Sequence, residues 1–131
     1  MPLILVDTSS WIEILNVSRK PLISMDQIEQ MATCPPVIQE VLQGVGSDIF
    51  YQKIKDILMA MPCFGDPLHL RYFDEAAQIY RHGRKKGYTI RSSNDCLIAA
   101  IALEHNLPIL HNDRDYSQIE KFTRLKIVEK I

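Results

Sequence analysis

Two short apolar runs, each leading into polar residues that can start a helix, constrain the fold of this chain most strongly. Residues 3–6 end at Asp7, and residues 107–110 lead into the acidic segment HNDRD. Each run is too short and too continuously apolar for an amphipathic helix, so we predict two buried strands. Buried strands that alternate with helices are typical of a parallel sheet covered on both faces. The pattern therefore predicts an α/β fold with a mostly parallel central sheet.

Apolar residues at helical spacing predict helices along the rest of the chain. The first helix follows Asp7 and is stopped by residues 19–21. A short second helix, capped by Ser24, contains Met31 and closes before two prolines. The other predicted elements are a helix from Pro36 to Gly44 or Gly46, a helix from the Ser47 cap to residue 61, a short strand or loop at 62–67, a helix over about 68–86, a helix over 95–105 capped by the cluster 92–94, a helix after the turn at 111–117, and a final strand at 125–128.

The composition is that of an ordinary globular protein. A chain of 131 residues can bury a self-supporting core, so we expect a single domain over residues 1–131. No apolar run approaches a membrane span and no signal peptide is visible, so we expect a cytoplasmic protein with no membrane contact. The three cysteines form no metal-binding pattern, which agrees with a reducing compartment. Fifteen basic and 16 acidic side chains nearly balance, so any nucleic-acid site must be a local patch.

Acidic residues fall where a parallel sheet has its ligand crevice. Such a crevice lies beyond the carboxyl ends of the strands. Asp7 follows the first strand, and Asp113 and Asp115 follow the second. Asp95 lies in the first turn of its helix, facing the same rim if the helix begins there, and Glu40 lies within the third helix. We therefore expect one crevice surrounded by several acids.

Taken singly, each acid also has a purely structural explanation. Asp7 could cap a helix, Asp95 could compensate a helix dipole, and Glu40 could be an exposed helix residue. Asp113 and Asp115 could belong to a turn with a surface ion pair. Clustered carboxylates, however, repel one another unless a cation neutralises them. A site of carboxylates without His or Cys suits Mg²⁺ or Mn²⁺ rather than zinc, and these ions support phosphoryl transfer.

The densest basic region precedes Asp95. Two explanations remain open: a solvated helix end, or a surface that holds phosphates beside the acidic site. The residues are Arg81, Arg84, Lys85, Lys86 and Arg91.

Four segments, in order along essentially the whole chain, resemble the motifs of the PIN domain and specifically of the VapC-type ribonuclease toxins. LVDTSSWIE carries Asp7, PVIQEVLQG carries Glu40, and SSNDCLIAAIAL carries Asp95. LPILHNDRDYSQIEKF carries Asp113 and Asp115 in a D-x-D arrangement. The resemblance implies a three-layer PIN-like fold with helices on both faces of the sheet. It also implies a metal-dependent endoribonuclease toxin of a type II toxin–antitoxin pair, leaving 5′-phosphate and 3′-hydroxyl ends.

The resemblance further implies residue roles and partners. The implied partners are an RNA substrate, a VapB-like antitoxin that inserts a segment into the active-site groove, and a second copy in a homodimer. The implied cofactor is Mg²⁺ or Mn²⁺. The implied roles are catalysis by Asp7, Glu40, Asp95 and Asp113, metal binding by Asp7, Asp95, Asp113 and Asp115, support of the carboxylates by Thr8, Ser9 and Asn94, and RNA binding by Arg84, Lys85 and Arg91.

Two other functions stay open at this point. A PIN-like nuclease of RNA maturation or DNA repair would share the site but usually needs extra domains. A non-catalytic α/β binding module, of the receiver-like kind, would use the acids only for capping or for a regulatory metal. Receiver-like folds usually have paired acids after the first strand, whereas this sequence has only Asp7 there.

Overall fold

The computed structural model describes residues 2–16 and 24–129. A four-stranded sheet, in the order β2-β1-β3-β4, forms its centre. All three strand pairings are parallel, with Ile4 opposite Met31 and Leu5 opposite Ile109. The predicted α/β class with a parallel sheet is confirmed. The strands are β1 (Ile4–Val6), β2 (Met31–Ala32), β3 (Ile109–Leu110) and β4 (Ile127–Val128).

Helices occupy most of the remaining described sequence. Serine side chains at positions 24, 47 and 92 each accept a backbone N–H at a helix start, as local sequence predicted for the first two and for the cluster at 92–94. Within the described ranges, no helix is long and apolar enough to cross a membrane. The helices are α1 (Thr8–Asn16), α2 (Met25–Ile28), α3 (Pro35–Gln43), α4 (Asp48–Ala60), α5 (Leu70–Lys85), α6 (Ser93–Glu104) and α7 (Arg114–Ile119).

Helix α6 lies in the centre of the protein. Every residue from Asp95 to Ala102 is buried, so the helix is covered all round rather than along one stripe. The alanines at positions 99, 100 and 102 keep this helix thin, and α5 packs more extensively on it than any other helix does. Because α6 runs through the core, the acid in its first turn is carried to the rim of the sheet while remaining buried.

Met31 corrects the predicted second helix. That helix ends at Ile28, and Met31 and Ala32 pair with β1 as an edge strand. The strand is favoured over the helix because the side chains of Met31 and Ala32 are buried against the core. The sheet also provides backbone hydrogen bonds here, such as the one from the Ile4 N–H to the Gln30 carbonyl at 2.8 Å. The segment 62–67 is a loop joined to the sheet edge by one bridge from Cys63 to Thr33.

Most other predicted boundaries shift by one or two residues, as helix and strand ends usually do, but α7 begins at Arg114, within the predicted turn at 111–117. Helix α3 begins at Pro35, one residue early, and Gly44 is its C-terminal cap. The C-terminal cap of α6 is His105, and Asn106 after it adopts a left-handed φ of 54°. The predicted stop of the first helix at residues 19–21 lies outside the described residues.

Candidate metal centre and active site

Four of the five predicted acids lie at the carboxyl edge of the sheet. Asp7 directly follows β1, and Asp113 caps the N-terminus of α7, which follows β3. Asp115 and Asp95 lie in the first turns of α7 and α6. The parallel pairing of β1 with β3 brings these strand ends together, which is the crevice position that the sequence predicted.

The Asp7 carboxylate is held on both oxygens. Its side chain is only 2% exposed. The Ser9 backbone N–H and Oγ donate to Oδ2 at 3.0 and 2.7 Å, and the Tyr116 hydroxyl donates to Oδ1 at 2.6 Å. Ser9 Oγ also accepts the N–H of Asn112 at 2.8 Å, so the first strand end is tied to the segment after β3.

Asp95 is held on one oxygen only. Its Oδ1 lies 3.2 Å from the Tyr116 hydroxyl, whereas Oδ2 is buried with no hydrogen-bond partner among the described residues. Burial, then the charges of Asp7 and Asp113, raise the pKa of Asp95 to about 8. Without a cation, this carboxyl therefore binds a proton over much of the range in which an ordinary aspartate is ionised.

Asp115 joins the acidic site to the start of α6. Its Oδ2 accepts the backbone N–H groups of Arg91 at 3.2 Å and Ser92 at 3.0 Å, and its Oδ1 is buried without a partner in the described structure. Asp113 Oδ1 accepts the N–H of Asp115 at 2.9 Å. One carboxylate oxygen each from Asp95, Asp113 and Asp115 lie within 4.8 Å of one another.

These three acids fit a hard divalent cation. Buried polar atoms without partners are rare in folded proteins, and here two such oxygens belong to neighbouring carboxylates. The one ion pair found within residues 2–16 and 24–129, Arg71–Glu104, involves none of the acids, so no ion-paired side chain neutralises them. An all-oxygen donor set is the type that Mg²⁺ and Mn²⁺ prefer. Asp7 lies outside this group of three and is connected to Asp95 through Tyr116.

Glu40 reaches the site from α3. Its Oε1 accepts hydrogen bonds from Asn94 Nδ2 and, at 3.3 Å, from Thr8 Oγ1. Glu40 is half-buried, whereas the acids at positions 7, 95 and 115 are buried. The structure thus joins all four sequence motifs into one network. Thr8, Ser9 and Asn94 each donate to a carboxylate, and their contribution to catalysis stays a prediction.

Tyr116 is the residue that sequence reasoning missed. It is fully buried, and its hydroxyl lies between the carboxylates of Asp7 and Asp95. Burial, then the nearby charges of these two acids, raise its pKa well above the ordinary value, so the group stays a neutral donor. A hydroxyl-bearing aromatic directly after the D-x-D pair was the available signal.

His111 lies beside this tyrosine at the end of β3. Its ring centroid is 5.1 Å from that of Tyr116, and its Nδ1 accepts the N–H of Asp113 at 3.0 Å. Burial lowers the pKa of His111 despite the opposing charges of Asp7 and Asp113. A neutral imidazole in this place supports the turn that carries Asp113.

No side chain of the predicted basic residues donates a described hydrogen bond to the carboxylates of the site. Arg84 and Lys85 are exposed in the last turn of α5, where positive charge also favours the helix dipole. Arg91 donates only its backbone N–H to Asp115. Arg81 and Asn94 line one cavity of about 530 Å³. RNA binding by these residues stays a prediction.

Comparison with known proteins identifies the family. The sequence profile of the PIN domain matches residues 4–122. The chain belongs to the PIN domain family. It is 35% identical, over 133 aligned positions, to VapC ribonuclease Mb1587 of Mycobacterium bovis and to ribonuclease VapC11 of Mycobacterium tuberculosis, covering 95% of this chain and 96% of each relative. The resemblance to VapC-type proteins is thereby confirmed.

Solved structures share the fold. The VapBC-5 toxin–antitoxin structure from Mycobacterium tuberculosis aligns with a TM-score of 0.66 at 20% identity, covering 98% of both chains. The VapBC-1 structure from nontypeable Haemophilus influenzae aligns with a TM-score of 0.66 at 16% identity, covering 96% of both chains. At these identities the similarity establishes the PIN-like architecture of this chain.

Proposed function

We propose that this protein is a Mg²⁺- or Mn²⁺-dependent endoribonuclease that acts as the toxin of a type II toxin–antitoxin pair. The observation that carries the proposal is the group of three carboxylates with two buried, unpartnered oxygens at the sheet edge. The 35% identity to proteins named VapC ribonucleases supports RNA as the substrate. The protein works as one domain over residues 1–131, with a single cluster of buried apolar residues among those described.

Asp95, Asp113 and Asp115 would hold the metal ion, with Asp7 as a further ligand directly or through water. When bound, the ion activates water and stabilises the negative charge on the leaving oxygen. The water oxygen loses a proton and forms a bond to phosphorus, while the bond from phosphorus to the 3′ oxygen breaks and that oxygen takes up a proton, which leaves a 5′-phosphate and a 3′-hydroxyl. The chain's own contribution is to hold the carboxylates in place through Ser9 and Tyr116.

Glu40 is suited to orient the attacking water. Thr8 and Asn94 fix its Oε1, and no described hydrogen bond engages its other oxygen. Because Glu40 is half-buried and outside the group of three metal-binding acids, it can accept a proton at the edge of the site. Its role is thus distinct from metal binding.

Cationic side chains would bring the RNA backbone to this acidic site. The carboxylates repel phosphates, and metal ions neutralise only the phosphate that reacts. Arg84, Lys85 and Arg91 precede α6 in the sequence and are exposed. They are the proposed RNA-binding residues.

A protein antitoxin is the proposed regulator. The VapBC-5 structure from Mycobacterium tuberculosis is that of a member of a family of toxin–antitoxin systems, which supports a partner of this type. A cavity of about 340 Å³ between α1, α3 and α4 lies beside Glu40 and has Ile12, Leu15 and Phe50 in its lining. An apolar antitoxin segment bound there would cover the approach to Glu40.

A homodimer is also proposed. Helix α5 exposes apolar side chains at helical spacing: Leu70 is 81% exposed, Phe73 46% and Tyr80 38%. Such a row on one helix face favours burial against another protein surface. Light scattering of the purified protein and of a Phe73→Glu/Tyr80→Glu variant measures their masses in solution and tests the proposed homodimer. A wild-type mass equal to that of one chain would contradict the homodimer.

Cleavage of total RNA by the purified protein tests the proposed activity. We expect cuts with 5′-phosphate ends in Mn²⁺ or Mg²⁺, none in EDTA, and none from an Asp7→Asn variant that folds normally by circular dichroism. Mapping the 5′ ends would also identify the RNA target. Cleavage that persists in EDTA, or 5′-hydroxyl ends, would contradict the proposal.

A further inference from the structure

Tyr116 has the geometry of a positioning residue for the metal centre. Its ring is fully buried in α7, and its hydroxyl lies 2.6 Å from Asp7 Oδ1 and 3.2 Å from Asp95 Oδ1. Asp7 follows strand β1 and Asp95 lies in helix α6, and in the described structure no other side chain lies within hydrogen-bonding distance of both carboxylates. The hydroxyl is therefore the direct link between two of the predicted ligands.

The contacts of this hydroxyl divide each carboxylate into an inner and an outer oxygen. Tyr116 contacts the Oδ1 atoms, Ser9 donates to the remaining oxygen of Asp7, and Oδ2 of Asp95 has no protein partner in the described structure. Since both Oδ1 atoms are within hydrogen-bonding distance of one oxygen, they cannot separate by more than the sum of the two contacts. When Asp95 is ionised, the repulsion between the two carboxylates would otherwise push them apart.

We propose that the Tyr116 hydroxyl holds Asp7 and Asp95 at the spacing that a divalent metal ion requires, leaving the outer oxygen of Asp95 to bind it. The inference rests on the proposed metal-dependent function. Tyr116 acts through the two carboxylates and is thus a positioning residue, not a catalytic one. Its ring is kept in place by packing, including the His111 ring at 5.1 Å, so the hydroxyl is fixed before the ion arrives.

The chain contains a matched control. Tyr72 is 2% exposed, and its hydroxyl forms a 2.9 Å hydrogen bond with His105 Nε2 at the other end of α6. Tyr116→Phe and Tyr72→Phe remove the same atom from equally buried rings. If Mn²⁺ affinity depended only on an intact buried hydrogen bond, it would fall in both variants. If it depends on the spacing of the two carboxylates, it should fall in Tyr116→Phe alone.

Calorimetric titration with Mn²⁺ is the deciding measurement. We expect Tyr116→Phe to bind Mn²⁺ about 10- to 100-fold more weakly than wild type, which is the usual cost of removing a group that orients metal ligands. Tyr72→Phe should stay within about twofold of wild type. In an Asp7→Asn background, removing the Tyr116 hydroxyl should weaken the remaining affinity far less, because one of the two carboxylates it spaces has already lost its charge.

The outcomes separate this inference from the proposed function. Wild-type protein that neither binds Mn²⁺ nor cleaves RNA would refute the function. Wild-type protein that does both, together with Tyr116→Phe at wild-type affinity or with equal losses in both Phe variants, would overturn the inference alone. If Tyr116→Phe is partly unfolded without metal, the Mn²⁺ dependence of its unfolding midpoint gives the same affinity by mass action.

Discussion

Both ends of α6 carry an acidic side chain, but among the described residues only the acid at the C-terminal end is paired with a cation within the protein. At its C-terminal end, Glu104 pairs with Arg71 at 3.4 Å and His105 bonds with Tyr72 at 2.9 Å. At its N-terminal end, Asp95 is buried beside other acids and one of its oxygens has no partner among the described residues. The polar groups at the C-terminal end find their partners within the protein, whereas the charge of Asp95 has to be neutralised by a proton or a cation.

This difference indicates which end serves function. Burying a charge without a partner destabilises the folded state, so such an arrangement is not explained by folding stability. Tyr72 and Tyr116 repeat the contrast, since the Tyr72 hydroxyl bonds to a single imidazole nitrogen and the Tyr116 hydroxyl lies between two carboxylates. Variants matched between the two ends can therefore separate effects on the metal site from effects on folding.

The largest expected effect is on RNA cleavage. Asp95→Asn removes a proposed ligand charge with little change in shape, and we expect activity to fall at least about 100-fold, since even groups that only orient ligands cost up to about that factor. Growth arrest on expression should be relieved. Glu104→Gln makes the same chemical change at the other end of α6 and should leave cleavage near wild type. Near-normal cleavage by folded Asp95→Asn would break the comparison.

The next effect is on stability in the presence of metal. At a Mn²⁺ concentration of about 100 times the Kd, binding should add about 2.7 kcal/mol to the free energy of unfolding, which raises Tm by roughly 5 to 10 °C. EDTA should give no stabilisation. Scanning calorimetry of the Asp7→Asn/Asp95→Asn double variant should show no such shift. A shift equal to that of wild type would assign the metal to another place.

The pH dependence of the metal-free protein sharpens the comparison. The pKa of Asp95 is about 8 when folded, above its ordinary value of 3.8, so between these values the folded state binds more protons than the unfolded state. The free energy of unfolding contributed by this group therefore falls as pH rises through that window. In EDTA, urea unfolding should show this fall in wild type and a weaker one in Asp95→Asn.

The same protonation should compete with the metal. Mn²⁺ displaces the proton from Asp95, so the apparent Mn²⁺ affinity should rise between about pH 6 and about pH 8. Titration calorimetry at several pH values measures this trend. Affinity that is constant across the range would mean that Asp95 is already ionised before the ion binds.

The basic region gives a smaller, graded effect on RNA binding. Changing Arg84, Lys85 and Arg91 together to Ala should weaken binding and reduce the slope of log affinity against log salt by about 2, at about 0.7 per phosphate contact for single strands. Mn²⁺ affinity should not change. A control variant with Arg124 and Lys126 changed to Ala, beside Pro108 at the start of β3, should keep the wild-type slope. An unaltered slope in the triple variant would assign these residues to the solvated surface.

The smallest expected effect is on the free energy of unfolding when the exposed Arg71–Glu104 ion pair is removed. Arg71 and Glu104 side chains are 58% and 36% exposed, and pairs of this kind contribute about 0 to 1 kcal/mol. Urea unfolding of Glu104→Gln should therefore differ little from wild type. A loss above about 2 kcal/mol would show that the paired end of α6 is more important for folding than its exposure indicates.

Elements specified by local pattern were predictable. Strand β1, the serine caps of α4 and α6, and the helices from α3 to α7 follow from periodicity and capping within a few residues of sequence. Strand β2 was not, because Met31 and Ala32 have no period of their own and become a strand only by pairing with β1. A short edge strand is defined by its neighbour more than by its residues.

The sequence by itself determined which acids could act, since strand ends and helix starts are local features and Asp7, Asp95 and Asp113 each occupy one. Only the tertiary structure decided how these acids are held. Tyr116 reaches Asp7 across 109 residues of sequence, and the Asp115 carboxylate caps N–H groups more than 20 residues earlier. Such contacts depend on the parallel register of β1 with β3 and on the buried course of α6, because hydrogen bonds require distances of about 3 Å that no local pattern specifies.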